Sequence, residues 1–441
     1  MKLPILLNIT SFRLTKYIVT AMITIILFSC SSSSGRKGKM KDPLGYTATR
    51  TKMRNAWKRG EFNSAKTLSE HWVNYAKKKR PKDYYINLLE KGKVALACDD
   101  YEGAIKALQK AEKRFVNIEG QVSLGEEIGS LFSDDLNKEY EAENYEKLLI
   151  PSYLLLAYWQ KGDFNGARVE SKRVLQKINQ YIESSTKHKY LESPFNRLLT
   201  ALVFEEDGQD DDVKIELRKI AKISKYCSQI SKIEQESMEK SRAYGSSICV
   251  FADVGTSPMK HPKKYGPWIV TLSNGTTISL AFVYSVIRKT LSRTHKCRVY
   301  IDKKYMADTY LLYDVEDIIL KQFKKNEPTK ISQIKKRALV KATTAGIASY
   351  VAAKTLGKFA GRLVGIVGAA WMYSERADLR SWLTLPKNIQ YRRVNHISVG
   401  EHAVYLEGVD RRNNVTWRTK EKKVHIDEKG TLELVHFTVP N

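Results

Sequence analysis

The chain has 441 residues, with 75 lysines and arginines against 48 acidic residues and a formal net charge of +27. A field of that sign attracts anionic surfaces, but the cations are scattered over residues 50–59, 77–80, 321–341 and 418–423, and no stretch carries a nucleic-acid-binding motif. Neither of the two most apolar stretches, 18–28 and 343–372, contains the 18 uninterrupted apolar residues of a membrane-crossing helix.

Lys2, Arg13 and Lys16 precede the 11 apolar residues 18–28, the layout of an export signal. The segment ends in Leu27-Phe28-Ser29-Cys30: aliphatic at −3, small at −1, cysteine at the cut. It resembles a bacterial lipobox. The resemblance implies a signal peptide over 1–29 and lipid on Cys30; a plain secretory signal is the alternative. Residues 30–48 are serine-rich, then basic, without apolar period, and are expected to be a flexible tether. Ser31, where an aspartate commonly marks inner-membrane retention, points to the outer membrane, facing the periplasm.

From 49 to 240 the pattern is helical and repeats itself. Four segments share a turn, an aromatic and a small residue three positions on: Trp57 to Gly60, Phe62 and Ala65; Ala97 to Tyr101 and Ala104; Tyr158 to Gly162, Phe164 and Ala167; and, more faintly, Phe204 to Gly208 and Asp210. A tight turn joins two antiparallel helices, the aromatic packs across the pair, and alanine permits close approach. The motif resembles the tetratricopeptide repeat, which implies an N-terminal all-α solenoid with Trp57, Ala65, Tyr101, Ala104, Phe164 and Ala167 as packing residues. The spacing is irregular, and residues 120–140 read as an insertion; an irregular bundle is the other reading.

Beyond residue 245 the chain reads as an α+β domain extending to 441. Strands are expected within 247–301, with Asn274-Gly275 as a hairpin turn. A long helix follows over 329–375, rich in alanine and glycine, with Gly357, Gly361 and Gly365 near one face. Lys354, Lys358 and Arg362 interrupt it, which favours burial against a sheet over membrane insertion. A terminal antiparallel sheet is expected over 389–438.

No two of Cys98, Cys227, Cys249 and Cys297 lie closer than 22 residues, so paired-cysteine metal spacings are absent, while a Cys249–Cys297 disulfide stays open. None of the eight histidines has metal-ligand spacing, and no P-loop, nucleophile elbow or dinucleotide fingerprint occurs. No catalytic residue, metal or cofactor is expected. Asp378, Arg380 and Trp382 form one compact cluster, read either as an aromatic-plus-guanidinium recognition platform or as a packed corner between helix and sheet.

That cluster sits in ERADLRSWLTLP (375–386). Together with YEKLL (145–149), GDF (162–164) and VFADVGTSPMK (250–260), it resembles an uncharacterised family of bacterial envelope lipoproteins. The similarity covers nearly the whole chain, is most specific at RSWLTLP, and implies architecture and location without a reaction. The combined expectation is a lipid-anchored envelope scaffold that binds partner proteins or peptides on a helical-repeat surface. Anionic glycans or lipids are further candidates, and nucleic acid is not expected. The alternatives are a cell-wall-active enzyme and a membrane-interacting protein using the glycine-rich helix.

Overall fold

The computed structural model describes residues 46–119, 138–183, 191–271, 277–356 and 377–440. Cys30, the signal peptide, nearly all of the tether, most of the insertion, the Asn274-Gly275 turn and Gly357, Gly361 and Gly365 lie outside them. The fold is mixed α+β, with helices first and strands after.

Among the described residues nine α-helices come first: α1 (Tyr46–Lys58), α2 (Phe62–Lys79), α3 (Tyr84–Ala97), α4 (Tyr101–Glu119), α5 (Asn144–Gln160), α6 (Phe164–Ile178), α7 (Pro194–Glu206), α8 (Asp210–Ala221) and α9 (Lys225–Tyr244). Consecutive helices pack on one another, most of them across short turns; the α4–α5 and α6–α7 connections are longer. Gly60, Gly162 and Gly208 supply positive φ at three of these turns, and Asp99, at φ 59°, does so at the α3–α4 turn, where the sequence has no glycine. Side chains fix several starts: Asp163 accepts from the Gly166 amide, Ser193 from Asn196 with Pro194 behind it, and Glu143 and Glu146 form a capping box on α5.

Three β units follow. The first sheet has the order β11-β1-β7-β6, built from β1 (Ser246–Val254), β6 (Tyr310–Tyr313), β7 (Asn388–Ile397) and β11 (Leu432–Val439). The second orders β10-β8-β4-β5, with β9 on β8, from β4 (Lys296–Ile301), β5 (Lys304–Asp308), β8 (Gly400–Val409), β9 (Val415–Arg418) and β10 (Lys422–Ile426). β2 (Met259–Thr271) and β3 (Thr277–Arg288) pair only with each other. The C-terminal strands therefore do not close as one antiparallel sheet. β7 joins β1 antiparallel, β11 joins β1 parallel, and β8 to β10 belong to the second sheet. Their alternating patterns were readable, but pattern alone does not choose partners.

β1 is buried along all nine residues, as expected of a strand covered on both faces. Ile248, Val250, Ala252 and Val254 meet Val299, Leu406 and Phe437 in the core between the sheets. Cys249 and Phe251 face the helices, in one core with Tyr153, Phe195, Trp382 and Tyr391. Helices and first sheet thus share a core across the change of texture near 245. Cys249 and Cys297 are free thiols, with Cys249 in the helix-facing core and Cys297 in the inter-sheet core; the open disulfide is not formed.

The long helix, α10 (Val315–Leu356), starts 14 residues before the expected 329 and carries Pro328 inside it. Proline is tolerated in a first turn, which makes residue 329 look like a start. Val315, Ile318 and Ile319 instead plant an earlier turn in the core. Among the described residues no helix is long and apolar enough to cross a membrane.

Candidate functional site

The repeat-turn residues divide by burial. Ala65, Ala104 and Ala167 are fully buried, and Trp57 is buried with its ring 5.2 Å from Phe62, edge to face. Tyr101 and Phe164 are only half-buried at the first residues of α4 and α6. Phe164 lies edge-on to Trp159 at 5.0 Å and beneath the Arg168 guanidinium at 4.7 Å.

Asp378, Arg380 and Trp382 open a strap, residues 377–387, that turns at Leu383-Thr384 and is pressed against the inner face of the helical layer. Arg380 binds Asp378 at 2.7 Å and Asp83 at 3.1 Å, and donates to the Lys138 carbonyl at 3.1 Å. Its guanidinium lies 5.5 Å from the Tyr140 ring centroid. The cluster therefore joins the helices to the strap instead of standing open. Trp382 is 1 % exposed, and its indole N–H donates to Thr384 at 3.0 Å.

The strap's backbone is bound by two buried carboxylates. Glu90 of α3 accepts from the amides of Leu383 at 2.6 Å and Thr384 at 3.0 Å. Glu146 of α5 accepts from the Trp382 amide at 2.9 Å and from the Tyr140 hydroxyl at 2.5 Å. Burial pushes Glu90 up to about 7 against the pull of those amides, and burial also raises Glu146. Buried polar groups are kept when each has a partner; here three strap amides serve the acids, while Leu385 and Lys387 pair with the backbone of Ser257 and Val254.

Beneath the strap lies a second charged group. Lys93 Nζ sits 2.5 Å and His436 Nε2 3.0 Å from Asp253 Oδ2, and Tyr153 donates its hydroxyl to the same oxygen at 3.1 Å. None of the four is more than 1 % exposed. The ammonium also lies 4.4 Å from the Tyr153 ring centroid. Burial alone would raise Asp253, but Lys93 and His436 outweigh it and hold the carboxyl at about 2. Burial lowers His436, against the opposing pull of Asp253. A third group ties β7 to α7 and α9: Arg393 pairs with Glu205 at 2.5 Å, and Tyr391 and Tyr310 each donate to Glu234 at 2.9 Å.

Chemically these groups hold elements together. The side chains of Lys93, Asp253 and His436 are closed to solvent in this conformation, and among the described residues no cluster of three or more His, Cys, Asp or Glu is arranged for a metal. Sequence reasoning missed Glu90, Lys93, Glu146, Asp253 and His436. The available signal was a lone charge inside an apolar run, as with Asp253 in SICVFADV and Glu146 before LLIPSYLLLAYW. The chain matches no protein-family model, no curated protein and no solved structure.

Proposed function

We propose that this protein is a lipid-anchored cell-envelope scaffold, tethered through Cys30 and oriented to the periplasm, whose tetratricopeptide-like layer holds extended chain segments of partner proteins. The observation that carries this reading is the strap. Helices α3 and α5 present Glu90 and Glu146 to three consecutive backbone amides of a non-helical, non-sheet segment, at its Leu383-Thr384 turn. Recognition through main-chain groups is how a surface takes up extended peptide. In this protein that inner face is occupied by its own chain, so partners meet the remaining surfaces. The lipobox-like LFSC and the scattered positive charge support a place at a membrane with anionic neighbours. The glycine-rich half of the long helix is read as packing on a neighbouring element.

The test has two arms. Cys30→Ala should leave an uncleaved precursor that takes up no labelled fatty acid. Cross-linking in intact envelopes, followed by mass spectrometry, should recover the same partner in both directions of a reciprocal pull-down. Unchanged labelling of the variant refutes the anchor, and failure of reciprocal recovery refutes the scaffold.

A further inference from the structure

The turn edge of the helical layer, away from the strap, is open. A groove of about 830 Å³ runs there beside residues 432–435 and adjoins a cavity of about 330 Å³ beside residues 436–438; the two share Asp99 and Lys422. Together they follow β11 along its length. β11 ends its sheet, so among the described residues one of its edges has no strand partner. Side chains stand in for the missing strand: the His436 amide donates to Gln160 Oε1 at 3.0 Å, and the Leu432 amide faces the Glu206 carboxylate. Near the carboxyl end of β11, Thr438 is 8 % exposed, and its hydroxyl has no hydrogen-bond partner among the described residues.

The walls suit an extended chain. Tyr101, Trp159 and Phe164, from two successive repeat turns, line the groove on the helical side. Tyr101 and Phe164 are half-buried, Trp159 is buried behind Phe164, and the two outer rings can pack on alternate side chains of an added strand. Charge gives the groove polarity. Glu206, Glu433 and Asp427 gather at the Leu432 end, and Lys420 and Lys422 at the Thr438 end. Burial and the neighbouring Glu206 push Glu433 up to about 7. A cation placed between these two acids relieves their repulsion.

We propose that an extended peptide adds to the free edge of β11 in this groove, displacing Gln160 and Glu206 from the strand amides and seating a basic side chain between Glu206 and Glu433. This deepens the scaffold reading and rests on it for the kind of partner. The β-addition supplies sequence-tolerant affinity, and the acid pair supplies selectivity.

The full chain in detergent is panned against a displayed library of random dodecapeptides. The expected winners alternate β-branched or aromatic residues and carry a Lys or Arg. The best peptide should bind about tenfold more weakly to the Glu206→Gln/Glu433→Gln protein, as loss of a charge-assisted contact implies. It should bind the Lys232→Met control, an exposed cation that lines neither cavity, unchanged, and both variants should show wild-type circular dichroism and melting. Replacing alternate peptide residues with proline, which cannot donate to a ladder, should abolish binding to the unmodified protein; this arm stands even if the double variant misfolds. The proposal is overturned if no peptide is enriched, if the proline version binds as well, or if Glu206→Gln/Glu433→Gln has no effect. It is also overturned if the chain is a dimer in solution that Glu206→Lys dissociates, since a second copy then fills the groove. Enrichment can fail while Cys30 lipidation and reciprocal partner recovery succeed, so the groove and the scaffold reading fall separately.

Discussion

The inner face and the turn edge of the helical layer are built from the same helices and use polar groups in opposite ways. On the inner face, Glu90, Glu146 and Lys93 are fully buried or nearly so, and their partners are backbone amides or a buried carboxylate. At the turn edge, Gln160 and Glu206 cover strand amides with side chains at the rim of a groove, and Tyr101 and Phe164 beside them are half-buried. A fixed partner makes a group indispensable, because its loss strands a charge away from water. A side-chain partner at a rim can be exchanged for a ligand. The comparison teaches that in this layer burial marks structure and partial burial marks availability.

The comparison breaks most severely at Lys93. Lys93→Met should cost about 3–5 kcal/mol because Asp253 stays buried without its cation; denaturant unfolding measures this, and a loss below about 1 kcal/mol contradicts it. Adding Asp253→Leu should recover much of the loss, since a buried pair replaced by apolar groups is often neutral. Trp382→Ala should come next, at about 3–5 kcal/mol for a large buried ring, with strap amides exchanging faster with deuterium.

A pH series sharpens the same contrast. Glu90 is raised from 4.5 to about 7, so the folded protein binds more protons than the unfolded chain through that window, and stability falls as pH rises across it. Glu170, at about 7, acts in the same direction. Asp253, held at about 2 against an ordinary 3.8, contributes stability present above 3.8 and lost as pH falls towards 2. The melting temperature should therefore be higher near pH 5 than at pH 8, and Glu90→Gln should flatten that decline. A melting temperature that rises from pH 5 to pH 8 excludes this account. The smallest effect belongs to the turn edge. Tyr101→Ala should cost roughly 1–2 kcal/mol, below the value for a fully buried ring, because its area is only partly removed from water.

The helix-to-strand order was legible because apolar period changes near residue 245, and the turns between helices were legible because glycine, aromatic and alanine each answer a local geometric need. The Asp378-Arg380 pair was legible as a corner because two residues can close a local ion pair. The partners of the strap were not, since Leu383 meets Glu90 across 293 positions and Trp382 meets Glu146 across 236. Strand pairing failed for the same reason: β1 and β11 are apolar runs that fit the centre or the edge of a sheet equally well. Trp417 adds a last case. Its ring would lie within 2.5 Å of a Cβ built on Gly60, so that glycine serves both a turn and a distant tryptophan, and sequence exposes only the turn.

The parallel pairing of β1 with β11 bears on how the chain reaches its native state. Ser247 pairs with Leu432, and every residue from there to Val254 has its partner in the last ten positions of the chain. Closing so wide a loop comes before any of the contacts that reward it, and folding slows as contacts become less local. Helical hairpins can form early from neighbouring residues, but β1 has an unsatisfied edge and Asp253 lacks His436 until β11 arrives. A chain stopped short of β11 should thus be a persistent, protease-sensitive intermediate, and commitment to the native core rests with its final strand.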